Sequence, residues 1–167
     1  MAKNSNSRKD RFLKSRSTCG LDTSDINKRC LFNFSYFSPS FGGEPLSEWA
    51  QQANGSATLN NLFEKLVNFT KEPLSYWENE RAGAGGLKVL TYYPSFPQKS
   101  PFQIPPSVPH DVRWGRFRLG NKVRVAGFSV PQASASQLDK DGNCFNPNIF
   151  YVVFLDKNHL FWPVETN

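Results

Sequence analysis

The spacing of apolar residues changes period several times along this chain, and each change marks an element. In Leu31-Phe-Asn-Phe-Ser-Tyr-Phe37 apolar and polar residues alternate, with Phe32, Phe34 and Tyr36 on one side. That predicts a strand, ended by Ser38-Pro39 and Gly42-Gly43. The spacing then turns helical. Leu46, Trp49, Ala50 and Ala53 fall on one face of a helix opened by Glu44-Pro45 and stopped by Asn54-Gly55. A longer amphipathic helix is expected from about Thr58 to Lys71, with Leu59, Leu62, Phe63, Leu66 and Val67 on its face. Glu72-Pro73-Leu-Ser-Tyr-Trp77 opens a third helix with the same chemistry as residues 44–49; one six-residue match does not make a repeat.

The remaining elements are extended. Ala82-Gly-Ala-Gly-Gly86 is expected to be a flexible joint and Leu87–Tyr93 a strand. Asn148-Ile-Phe-Tyr-Val-Val-Phe-Leu155 is apolar on both faces and predicts a central strand covered on both sides. After the turn Asp156-Lys-Asn, a last short strand is expected over His159–Trp162. Two long loops separate these strands. Residues 94–112 carry six prolines between Pro94 and Pro109, which predicts an extended segment wrapping the domain. Residues 131–148 are rich in Ser and Asn.

Between the loops lies Trp114-Gly-Arg-Phe-Arg-Leu-Gly-Asn-Lys-Val-Arg-Val-Ala-Gly-Phe128, a hairpin turning near Gly120-Asn121. Loop length decides its faces. A two-residue loop mixes charged and apolar residues on both. A three-residue loop over Gly120–Lys122 pairs Leu119 with Val123 and puts Phe117, Leu119, Val123 and Val125 on one face. Trp114, Arg116, Arg118, Arg124 and Phe128 then share the other. The second register segregates a face for burial, so it is expected. The result is a row of three guanidiniums flanked by rings, suited to RNA phosphates and unstacked bases. The competing reading is an ordinary solvated sheet face.

The order of elements predicts an α+β fold: an antiparallel sheet of four to five strands, a helical hairpin packed on one face, and a basic disordered arm before it. The arm covers residues 1–29 and one domain covers residues 30–167. The expected core is Phe34, Tyr151, Val153, Leu155, Phe117 and Val125, covered by Leu62, Phe63 and Leu66.

Charge sharpens the functional expectation. The net charge is +6, and it is concentrated. Residues 1–29 hold eight basic side chains against three acidic, and residues 96–128 hold six against Asp111 alone. Two basic zones in one chain point to an anionic partner. Cys19, Cys30 and Cys144 are an odd number without a C-x-x-C pair, so neither a zinc site nor a disulfide framework is expected, and a reduced cytoplasmic protein is. No apolar run reaches membrane length. Asp139-Lys-Asp141-Gly142-Asn143 lacks the EF-hand spacing and is expected to be a turn. Neither a cofactor nor a metal is implied.

The segment Phe117-Arg118-Leu119-Gly120-Asn121-Lys122-Val123-Arg124-Val125, followed by a strand and then His159-Leu-Phe-Trp162, resembles the RelE/ParE-like toxin superfamily. About twenty residues carry the resemblance. Leu160 stands where a basic residue often follows the family's histidine, and Trp162 where a tyrosine is often found. Typical members are ribosome-dependent mRNA endonucleases or gyrase poisons, neutralised by an antitoxin. The resemblance implies metal-free RNA cleavage with the 2′-OH attacking the adjacent phosphate. Arg118 and Arg124 would hold the phosphate and His159 would serve as acid and base. Trp114, Arg116, Lys122 and Phe128 would contact the RNA, on the ribosome or free. For Arg124 the plain alternative is an ion pair to a helix carboxylate such as Glu64 or Glu78; for Trp114 it is a place at the edge of the core. Two further functions compete: a nucleic-acid-binding protein without catalysis, and a protein-interaction module of a mobile element, docking a partner through its proline-rich loop.

Overall fold

The computed structural model describes residues 6–16, 19–53 and 56–163. Two two-stranded ribbons, β2 (Gln52–Ala53) with β3 (Ser56–Ala57) and β4 (Arg81–Ala82) with β5 (Leu87–Lys88), flank one main sheet. That sheet has five strands: β1 (Leu31–Asn33), β6 (Leu90–Tyr92), β7 (Arg113–Arg118), β8 (Arg124–Ser129) and β9 (Ile149–Asp156). Their spatial order is β1-β9-β8-β7-β6. The β6-β7-β8-β9 run is antiparallel, and β1 joins it parallel to β9. The fold is α+β, as expected. Helices α2 (Leu46–Ala50), α3 (Thr58–Phe69) and α4 (Leu74–Asn79) lie between β1 and β6 in the chain.

The hairpin register is the segregating one. Arg118 pairs with Arg124 and Phe117 with Val125, and Leu119 N–H donates to the Val123 carbonyl at 3.0 Å, which closes the loop over Gly120–Lys122. One face of the sheet meets the helices. Phe117, Leu119, Val125, Phe150, Val152 and Leu155 pack with Leu62, Leu66 and Phe69 of α3 and with Trp77 of α4. The other face is covered too, by loops rather than helices. Phe102 and Val108 of the proline-rich loop and Phe161 of the C-terminal segment close over Trp114, Ala126, Phe128, Val153 and Phe154. The loop thus buries Phe102 and Val108 within the domain and leaves Ile104 exposed.

Several expectations are corrected here. The first strand is three residues long, because Phe37 N–H turns back to the Phe34 carbonyl at 3.0 Å. This turn sends Phe32 to the helix-side core and Tyr36 to the loop-side core, and leaves Phe34 exposed. Phe63 is 57 % exposed, on the outer side of α3. Val153 and Leu155 do not share a face. Strand β9 carries one extra residue, Val153, opposite Ala126-Gly127, so the alternation reverses there and Val153 joins Phe154 in the loop-side core. The bulge brings the Tyr151 carbonyl so close that a β-carbon on Gly127 would stand 2.0 Å from its oxygen; glycine is required. Residues 159–162 do not form a strand. The Gly-rich joint 82–86 is the turn of the β4-β5 ribbon.

Within the N-terminal segment, α1 (Ser7–Ser15) is capped by Asn6, whose side chain accepts from Lys9 N–H. None of its residues is buried, and Phe12 and Leu13 are exposed. Residues 1–5 and 17–18 of the arm, the Asn54-Gly55 stop and residues 164–167 lie outside the described residues.

A cluster of arginines around His159

The site is assembled where the hairpin end of the sheet meets the turn after β9. Because Arg116, Arg118 and Arg124 share a face, the pairing of β7 with β8 sets three guanidiniums side by side. The turn contributes His159. Buried Asp156 builds that turn: its Oδ1 accepts from the N–H groups of Asn158 and Leu160, each at 3.0 Å, and its Oδ2 from that of Phe161 at 2.9 Å. Held in this way, His159 has a φ of 61° and is the one non-glycine residue with positive φ among the described residues. Glu44 braces the same turn, accepting from Lys157 N–H at 3.1 Å and from Trp49 Nε1 at 2.6 Å.

The imidazole Nε2 of His159 contacts the Arg116 guanidinium. An arginine only donates, so Nε2 is the acceptor and the ring is the neutral tautomer with its proton on Nδ1. Its pKa falls to about 4, first because burial penalises the imidazolium and then because Arg116 and Arg124 repel it. Arg124 is 2 % exposed and also shifts down, to about 10, through burial and then the charges of Arg118 and Arg116. It remains a cation at neutral pH. Its Nη1 donates to the carbonyls of Gly120 and Val123, and its Nη2 to that of Asn121, all within 2.9 Å. Arg124 therefore ties down its own hairpin loop. Among the described residues no helix carboxylate pairs with it; Glu78 pairs instead with Arg113.

Tyr93, which the sequence does not single out, completes the cluster. Its ring stacks on Trp162 at 4.1 Å, and the Arg116 guanidinium lies 5.9 Å from its centroid. Burial raises the Tyr93 pKa, against the pull of Arg116. Among the described residues four buried side-chain polar atoms have no hydrogen-bond partner: Tyr93 Oη and the Nε atoms of Arg116, Arg118 and Arg124. All four belong to this cluster. Orphaned buried donors cost about 1–3 kcal/mol each, so their coincidence at one place marks a site built for an acceptor.

The structure brings together Arg116, Arg118, Arg124 and His159 and separates the rest of the expected set. Trp114 is 5 % and Phe128 2 % exposed, both within the loop-side aromatic core, so neither ring can stack on a base without opening that core. The expectation of two RNA-stacking rings is corrected on that ground. Lys122 is exposed at the hairpin tip. The sequence singles out neither Asp156 nor Tyr93, because their roles depend on contacts across the chain and on a turn. A cleft of about 870 Å³ lies at the far end of the sheet around Lys28, Lys71, Glu78 and Arg113 and shares no residue with the cluster. No cluster of three or more His, Cys, Asp or Glu able to hold a metal occurs among the described residues, and no helix there is long and apolar enough to cross a membrane. Comparisons with protein-family models, curated proteins and solved structures find no match.

Proposed function

We propose that this protein binds RNA, holding a phosphate group between Arg116, Arg118 and Arg124. One observation carries the proposal: every partnerless buried side-chain donor among the described residues sits in this one cationic cluster. A phosphate oxygen supplies the missing acceptor, and guanidiniums match its geometry. Cytoplasmic RNA, free or on the ribosome, is the corresponding partner. The test is binding of a single-stranded oligoribonucleotide across a salt series. Affinity should fall steeply with salt and drop on Arg116→Gln or Arg118→Gln. Salt-independent binding, or binding indifferent to both changes, overturns the proposal.

Metal-free cleavage of the RelE type is the second reading, favoured by His159 standing inside the cluster. When Arg116 turns to the phosphate, Nε2 is released and the neutral imidazole can take the 2′-OH proton. The O2′–P bond forms and the P–O5′ bond breaks. The 5′-oxygen leaves with the proton that the His159 imidazolium returns, giving a 2′,3′-cyclic phosphate and a 5′-hydroxyl end. The arginines stabilise the charge developing on phosphorus oxygens. Cleavage of an RNA that ceases when a 2′-deoxynucleotide replaces the scissile one, with binding retained, supports this reading. Intact RNA at full occupancy leaves a non-catalytic RNA-binding protein. Growth arrest on expression, relieved by a co-expressed antitoxin, would extend the cleavage reading to a toxin-antitoxin pair.

A further inference from the structure

The charges at the cluster do not balance, and the imbalance specifies the ligand. Arg116, Arg118 and Arg124 contribute three fixed positive charges. The carboxylate that offsets them is Asp156, which acts on both Arg124 and His159 and whose oxygens are already occupied by three backbone N–H groups. His159 and Tyr93 are neutral at pH 7. The local excess is therefore two positive charges, close to the about −1.5 to −2 carried by a phosphate monoester at neutral pH and twice that of a phosphodiester.

The partnerless groups point to a phosphate oxygen ligand: three Nε–H groups and one phenolic O–H lack an acceptor, and each phosphate oxygen can accept from more than one donor. The site also has a closed side: Arg124 is buried and fastened to the Gly120, Asn121 and Val123 carbonyls, and Tyr93 is fastened by its stack on Trp162. Arg116 and Arg118 are only partly buried, so their turning admits a group without opening either core. A strand threaded past the site must enter and leave; a chain end need only enter.

We propose that the cluster of Arg116, Arg118, Arg124 and Tyr93 is a receptor for a terminal phosphate monoester at the end of an RNA chain. The proposal rests on the RNA-binding reading above and narrows it. The same chemistry is offered by a free nucleoside monophosphate, and the experiment separates the two sources.

The full chain is titrated at pH 8 with one oligoribonucleotide in three forms, 5′-phosphorylated, 3′-phosphorylated and hydroxyl at both ends, and with a nucleoside monophosphate. A phosphorylated end should bind at least about tenfold tighter than the hydroxyl form, the weight of one charge-assisted hydrogen bond. The preference should shrink below pH 6 as the phosphate loses its second charge, and vanish in Arg116→Gln and Arg118→Gln. Both variants keep the three Arg124 bonds that hold the loop, and circular dichroism checks their fold. Equal affinity for all three RNA forms overturns this inference and leaves RNA binding standing. Binding of the monophosphate without RNA affinity keeps the monoester receptor and moves its source to a small molecule, against the RNA reading. No binding of any ligand overturns both.

Discussion

The carboxylate of Asp156 holds the backbone N–H of Phe161 at 2.9 Å, and so ties the end of β9 to the side chain that plugs the loop-side core. The same carboxylate fixes the turn that presents His159. Asp156→Ala leaves three buried or half-buried N–H groups without an acceptor. It should lower stability by about 2–4 kcal/mol, read from denaturant unfolding, with Asp156→Asn recovering part of the loss. An unchanged midpoint would show that the turn stands without its carboxylate.

The three arginines should separate stability from binding. Arg124 supplies three hydrogen bonds to its loop and is buried, so Arg124→Gln should unfold earlier than the wild type. Arg116 and Arg118 crowd like charges together with few compensating bonds. Arg116→Gln and Arg118→Gln should unfold at or above the wild-type midpoint while losing anion affinity. Thermal scans with and without added phosphate check this: phosphate should raise the midpoint of the wild type more than that of either variant.

Stability should carry a pH signature from His159. Its pKa is about 4 folded, depressed by burial and by Arg116, Arg124 and Arg118 against the opposing pull of Asp156, and about 6.5 unfolded. Between these values the unfolded chain binds a proton that the folded chain refuses. The His159 contribution is thus intact above about pH 6.5 and is lost as pH falls toward 4. His159→Asn, chosen because asparagine tolerates positive φ, should flatten the wild-type slope across that window. Identical slopes in the two proteins would remove His159 from the account.

Both faces of the sheet should prove to be core. Leu62→Ala on the helix side should cost about 2–5 kcal/mol and Phe161→Ala on the loop side about 3–5 kcal/mol. Phe63→Ala, on the exposed side of the same helix, should cost far less. Gly127→Ala should cost about 3 kcal/mol by forcing a methyl group against the Tyr151 carbonyl. Chemical denaturation of the four variants ranks them directly.

A chain beginning at Ser24 should keep the unfolding midpoint of the full protein. Helix α1 buries none of its residues, whereas Asn148 Nδ2 reaches back to the Lys28 carbonyl, which the shortened chain retains. A lower midpoint after truncation would assign the arm a place in the fold.

The sequence by itself determined the elements whose partners lie close along the chain. The hairpin register was legible because one register segregates apolar from charged residues and the other mixes them, and this contrast also placed the three arginines on one face. The face of α3 was legible only in part: its spacing identified Leu62 and Leu66, but a 3.6-residue stripe does not say how far the neighbouring layer extends, and Phe63 and Val67 fell outside it. Tertiary structure alone decided the rest. Alternation in Leu31–Phe37 and in β9 is a local signal, and neither the turn at Phe34 nor the bulge at Val153 leaves a mark in it. The second core is made by a proline-rich loop without regular period, so its claim on Trp114 and Phe128 became visible only when Phe102 and Phe161 arrived from distant positions. Likewise, His159 is one histidine among two in the sequence. Its neutrality and its contact with Arg116 arise from burial, a carboxylate-held turn and charges on two other strands, quantities that depend on distance through space and not along the chain.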